Sequence, residues 1–110
     1  MKTKVELVKV NASETETLKD YIQELYTFDS KSEAMKNIEE GVRSLMKNEG
    51  LAAPFFIKLE NERVGYVILT KYHSVEKGGL TVYIDELFVN EKARRKGIGK
   101  KVMAEIVQIA

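Results

Sequence analysis

The sequence predicts an α+β fold: a mixed, mostly antiparallel sheet flanked by helices, in the order β-α-α-β-β-β-α. Three observations carry this. Apolar residues recur at helical spacing in two early segments and one late one. The middle of the chain alternates and is rich in Val, Ile, Thr and Tyr. The changes of texture between them fall at polar or glycine-containing breaks.

In order along the chain, Lys4 to Val10 alternates, with Val5, Leu7 and Lys9 on one face and Val8 and Val10 turned to the other, which is a first strand. Ser13 and Glu16 have capping-box spacing, and Leu18, Tyr21, Ile22, Leu25 and Phe28 then form a helical stripe. Ser30 and Glu33 repeat the signal ahead of a second stripe, Met35, Ile38, Val42, Leu45 and Met46. Gly50 stands where a left-handed C-terminal cap would end that helix. After Pro54, the run Phe55 to Leu59, the polar break Glu60-Asn61-Glu62 and the run Arg63 to Tyr72 read as a β-hairpin. Ser74 to Gly79 is a polar connection and Leu80 to Val89 a further long strand, so the middle of the chain is an antiparallel meander. From Gly97 the last helix carries Ile98, Val102, Ile106 and Ile109 on one face. No repeat, low-complexity tract or linker divides the chain, so residues 1–110 read as a single domain.

Composition removes several function classes. A net charge of +1 gives no reason to expect nucleic acid or an anionic membrane as partner. Without cysteine there is no disulfide, thiolate nucleophile or cysteine-ligated metal, and the lone His73 argues against a histidine-based metal site. Met1 to Val5 leads straight into the first strand with no apolar signal segment, and no stretch is long enough to span a bilayer, so the reading is a cytoplasmic protein.

The chemistry concentrates in Tyr83 to Lys100. A strand ends in Asp85-Glu86-Leu87-Phe88-Val89, and a basic loop, Arg94-Arg95-Lys96-Gly97-Ile98-Gly99-Lys100, opens a helix whose first amides lack intrahelical partners. Such an end attracts anions. Gly97 and Gly99 let a phosphate approach the backbone, and Arg94, Arg95, Lys96 and Lys100 supply positive charge. Two familiar phosphate loops fail on spacing. A Walker A loop ending at Gly99-Lys100 needs Gly at 94 and Ser or Thr at 101, where Arg94 and Lys101 stand. A dinucleotide fingerprint starting at Gly97 needs a third small residue where Val102 stands.

Arg94-Arg95-Lys96-Gly97-Ile98-Gly99 resembles the Arg/Gln-x-x-Gly-x-Gly/Ala signature of the GNAT N-acetyltransferases, and the strand ending in Leu87-Phe88-Val89 looks like the one that precedes that motif. The resemblance extends over essentially the whole chain, with Asp85 to Lys100 as its specific part. It implies a GNAT-like acyl-CoA N-acyltransferase fold and the cosubstrate acetyl-CoA, its pantetheine pairing with the backbone of Leu87 to Val89 and its diphosphate bound by amides of Arg95 to Lys100. It implies direct transfer of the acetyl group to a primary amine of a small molecule or peptide, with no metal. Some relatives use an acidic side chain on this strand as base, which makes Asp85 and Glu86 the catalytic candidates. Alternation sends these two to opposite faces, and the reading favours Asp85 toward the cleft and Glu86 as partly structural. Tyr21, Tyr26 and Phe28 could border the acceptor, although core packing explains Tyr21 more simply.

A typical member continues with further strands and a tyrosine that protonates the departing thiolate. The resemblance therefore implies a partial domain truncated after the motif helix, with a strand edge and an apolar helix face that a homodimer would cover by completing the sheet. A non-catalytic acyl-CoA-binding or regulatory domain, or an inactive fragment, is the alternative. Thiol release from acetyl-CoA with a panel of amines separates it from the enzyme.

Overall fold

The structure, a computed structural model, describes residues 4–109. Met1 to Thr3, Ala110 and the side chain of Ile109 lie outside this description. Among the described residues four strands form one sheet in the order β1-β2-β3-β4. They are β1 Val5–Lys9, β2 Ala52–Leu59, β3 Glu62–Ser74 and β4 Gly79–Val89. Every pairing is antiparallel, which corrects the expectation of a mixed sheet. The reason lies in the connections. Glu60 and Asn61, at φ 53° and 68°, make the two-residue turn that reverses β2 into β3, and Gly78 and Gly79, at φ 89° and 142°, help reverse β3 into β4. The helical excursion after β1 returns the chain to the end of the sheet it left, so Lys9 faces Phe55 and the Val10 amide donates to the Pro54 carbonyl at 3.1 Å.

That excursion begins with a 3-10 turn, Ala12–Glu14, followed by α1 Thr15–Phe28, α2 Ser32–Met35 and α3 Ile38–Lys47. The capping box lies two residues earlier than the Ser13 and Glu16 spacing suggests. Asn11 Oδ1 accepts from the Ser13 amide at 3.0 Å, and Glu14 Oε1 accepts from the Asn11 amide at 3.1 Å. The expected second helix is interrupted at Lys36–Asn37, and Ser30, at φ 57°, closes the preceding turn rather than capping a helix. Gly50 does not supply the left-handed cap. Asn48 ends α3 instead, its amide bonded to the Leu45 carbonyl at 3.1 Å and its Nδ2 to the Ser44 carbonyl at 2.7 Å.

The helices divide between the two faces of the sheet. Leu18 and Ile22 of α1 and Val42 of α3 bury against Val10, Phe56, Tyr66, Ile68 and Phe88. On the other face, after the single turn α4 Glu91–Arg94, lies α5 Gly99–Ile109. Ile98, Val102 and Ile106 are only 3%, 1% and 5% exposed and pack on Val5, Val64 and Val67. Each such burial is worth about 1.5–3 kcal/mol. This corrects the reading of a fold truncated after the motif helix: of the apolar stripe expected to be covered by a second copy, Ile98, Val102 and Ile106 are covered by the chain's own sheet. The helix face expected to drive pairing of two copies is therefore occupied. Strand β3 approaches β4 closely at Gly65, where a Cβ would lie 1.9 Å from the Phe88 carbonyl oxygen.

Candidate active site

The loop between β4 and α5 is pinned at both ends by buried apolar residues. Asn90 caps α4 by accepting from the Ala93 amide at 2.9 Å, Ala93 is 1% exposed, and Ile98 plugs into the α5 face. Between these anchors Arg94, Arg95, Lys96 and Gly97 stand exposed. Gly97 takes φ 64°, a left-handed conformation that favours glycine. The amides of Arg94 through Gly97 bond within the turn, to the carbonyls of Asn90, Glu91, Ala93 and Arg94 at 3.0–3.2 Å. Those of Ile98, Gly99 and Lys100 have no backbone acceptor among the described residues. An anion is thus offered the amides of residues 98–100 rather than those of Arg95 to Gly97.

Space and charge agree with that donor set. A Cβ at Gly97 or Gly99 would meet nothing within 4 Å. Arg94 lies over the Phe28 ring at 5.0 Å and Arg95 pairs with Glu91 at 2.6 Å, while Lys96 and Lys100 are exposed with no ion pair among the described residues. The residues present fit a diphosphate. Strand β4 is the last in the sheet, so its outer edge has no strand partner among the described residues and leads directly to this loop.

Alternation along β4 is interrupted where it matters most. Ile68 pairs with Glu86 and Leu69 with Ile84, leaving Asp85 as the extra residue of a β-bulge. The bulge cancels the expected opposition of faces, and Asp85 and Glu86 line the same cavity, on the α1/α3 side of the sheet. Glu86 is half-buried and fully engaged: the Tyr66 hydroxyl donates to Oε1 at 2.8 Å and the Tyr26 hydroxyl donates to Oε2. Burial pushes both hydroxyls well above the ordinary tyrosine range, and the Glu86 carboxylate adds to this, so both remain protonated donors. Asp85 is exposed and makes no hydrogen bond or ion pair among the described residues.

The cavity has a volume of about 380 Å³ and lies between the end of α1, α2, α3 and strands β2 to β4. That is ample for a small ligand. Tyr26 borders it. Tyr21 does not: its ring packs on Phe56, Tyr66 and Phe88, and its hydroxyl donates to the Arg63 carbonyl at 3.2 Å. The side chain of Phe88 belongs to the same cluster, so only its backbone faces the β4 edge. Sequence reasoning missed Tyr66 and Gly41. Tyr66 is hidden in a run of strand apolars, and a helical glycine gives no signal of the cavity it lines. His73 is exposed near the far end of β3. No helix of the described residues is long and apolar enough to cross a membrane.

Residues 15–110 match the family model described as the acetyltransferase (GNAT) family. Three solved structures share the architecture. A possible acetyltransferase from Clostridium difficile 630 is 20% identical, with TM-score 0.72 over 96% of this chain and 70% of that one. An integron cassette protein from the mobile metagenome of Cole Harbour Salt Marsh is 26% identical, with TM-score 0.75 over 93% of this chain and 67% of that one. The ribosomal-protein-alanine N-acetyltransferase of Brucella melitensis biovar Abortus 2308 is 16% identical, with TM-score 0.67 over 98% of this chain and 71% of that one. No curated protein matches the chain in sequence. These superpositions span nearly all of this chain, so its sheet and helices correspond as a unit to part of each solved structure. With a family model matched over most of its length, the chain belongs to the acetyltransferase (GNAT) family and is an acetyl-CoA-dependent acetyltransferase.

Proposed function

We propose that the chain acetylates a primary amine seated in the cavity beside β4, with Asp85 as the proton acceptor. The observation that carries this is the β4 bulge, which turns Asp85 and Glu86 together into one cavity on a strand whose open edge runs into the phosphate loop. Bound acetyl-CoA supplies an acetyl group already activated as a thioester, so the protein needs only to orient, deprotonate and exclude competing water.

The roles divide by engagement. The amides of Ile98, Gly99 and Lys100 hold the diphosphate, Lys96 and Lys100 offset its charge, and the backbone of Leu87 to Val89 lines up the pantetheine. Glu86 is a positioning residue, both of its oxygens being held by Tyr26 and Tyr66. Asp85, unengaged and exposed, takes one proton from the acceptor ammonium. The freed nitrogen forms its bond to the acetyl carbon as the carbon–sulfur bond breaks, and the second nitrogen proton leaves with the thiolate as free thiol.

The test is thiol release from acetyl-CoA across a panel of primary amines, with wild type and Asp85→Asn. A general base contributes typically about 10²–10⁴-fold, so Asp85→Asn should lower kcat by at least about a hundredfold while the KM for acetyl-CoA stays where it was. Wild-type turnover in the variant would remove Asp85 from the chemistry.

A further inference from the structure

The charge pattern of the cavity beside β4 narrows the acceptor further than its being an amine. Resting on the reading of that cavity as the acceptor pocket, the geometry points to a primary monoamine carried on an apolar body, with Gly41 setting the room available to that body. Charge among the lining residues is confined to Asp85 and Glu86. Glu86 already accepts from two tyrosine hydroxyls, which leaves Asp85 as the partner for one ammonium.

The lining contains no Lys, Arg or His. An acceptor with a carboxylate or phosphate next to its amine would bring an anion up to two carboxylates with no cation to offset it. Amino acids and phosphorylated amines are disfavoured on that ground. A polyamine meets the reverse difficulty. Away from β4 the polar lining groups are neutral, those of Asn37, Ser44, Asn48 and Thr70, so a second ammonium finds no carboxylate there. The rest of the wall is Ile22, Ile38, Val42, Leu45 and Ile68, which suits an alkyl or aryl group.

Gly41 faces this space from α3. A Cβ added there meets nothing within 4 Å, and its φ is not positive, so a side chain can grow into volume the protein leaves unfilled. Leucine is also a better helix former than glycine, so Gly41→Leu keeps the fold while shortening the pocket.

The experiment measures thiol release from acetyl-CoA with methylamine, phenethylamine, phenylalanine, spermidine and an alanine-initiated tripeptide, for wild type and Gly41→Leu. Calorimetry of the same amines in the presence of CoA reads the preference even where turnover is slow. Wild type should favour phenethylamine over phenylalanine by about a hundredfold and over spermidine by about tenfold. In Gly41→Leu the ratio of phenethylamine to methylamine should fall by about tenfold with the affinity for CoA unchanged. Preference for phenylalanine, spermidine or the peptide overturns the inference, as does a variant that leaves the ratio unmoved or a protein that binds none of the amines. Turnover of an amino acid would sink the substrate class and leave the transferase mechanism standing. Selective binding of phenethylamine without acetyl transfer to any amine would do the opposite.

Discussion

Asp85 and Glu86 are neighbours with the same charge and different employment, and the difference comes from one extra residue in β4. A period-2 reading assigns them to opposite faces; the bulge at Asp85 brings both to one cavity. Nothing in Ile84-Asp85-Glu86-Leu87 marks a bulge, because no glycine or proline signals it, so the acidic pair was legible and its geometry was not. The partners of Glu86 have a consequence for pH. Tyr26 and Tyr66 have folded-state pKa values raised above their ordinary 10.0. Below about pH 10 both folded and unfolded chains keep these protons and the stabilisation is complete; as pH rises past it only the unfolded chain releases them, and stability falls. Urea midpoints measured from pH 8 to 11 should decline above about pH 10, and the decline should be shallower in Tyr66→Phe. Gly65 provides a second test at this scale. With the Phe88 carbonyl oxygen 1.9 Å from any added Cβ, Gly65→Ala must push β3 away from β4, and urea unfolding should show a loss of about 3 kcal/mol or more.

Elements whose periodicity is strong were legible: the stripes of α1 and α5, the hairpin β2–β3 and the long β4 all lie where the apolar spacing puts them. Boundaries set by local hydrogen bonding were less so. Asn11 rather than Ser13 caps the first helical segment, because Ser13 spends its own hydroxyl on Asn11 Oδ1 at 2.6 Å. The stripe from Met35 to Met46 suggests one helix, yet it is broken at Lys36–Asn37, and no residue type there announces the break. The exposed, glycine-containing loop before α5 was legible in the sequence, but not which of its amides remain open, since that depends on the turn that α4 makes. The element-scale prediction concerns Gly99, where a side chain has space in the protein but would occupy the volume a phosphate needs. Gly99→Val should weaken CoA binding by at least about tenfold, read by calorimetry, with the thermal midpoint within a few degrees of wild type. Equal affinity would dissociate the loop from the diphosphate.

Across the whole molecule, the sheet separates two tasks. Its α1/α3 face holds the aromatic cluster and the cavity proposed to take the acceptor, and its other face holds α5, whose buried stripe fixes the start of that helix against β1 and β3. The reading of a broken-off sheet arose from counting elements against a longer pattern, whereas burial is decided by what the stripe touches, and Val102 at 1% exposure touches the chain's own strands. Fixing α5 in this way holds the amides of residues 98–100, which have no backbone acceptor among the described residues, a few residues beyond the end of β4, and in the proposed reading donor and acceptor meet between the β4 edge, the bulge and the loop. The central claim, that the amides of Ile98, Gly99 and Lys100 grip the diphosphate of the cosubstrate, is tested most directly by titrating isotopically labelled protein with CoA and following backbone amide resonances. The account predicts the largest shifts at Ile98, Gly99 and Lys100, with Leu87 to Val89 moving alongside and β1 unmoved. Saturating CoA that leaves those three amides in place, or that shifts residues of another surface instead, would contradict it.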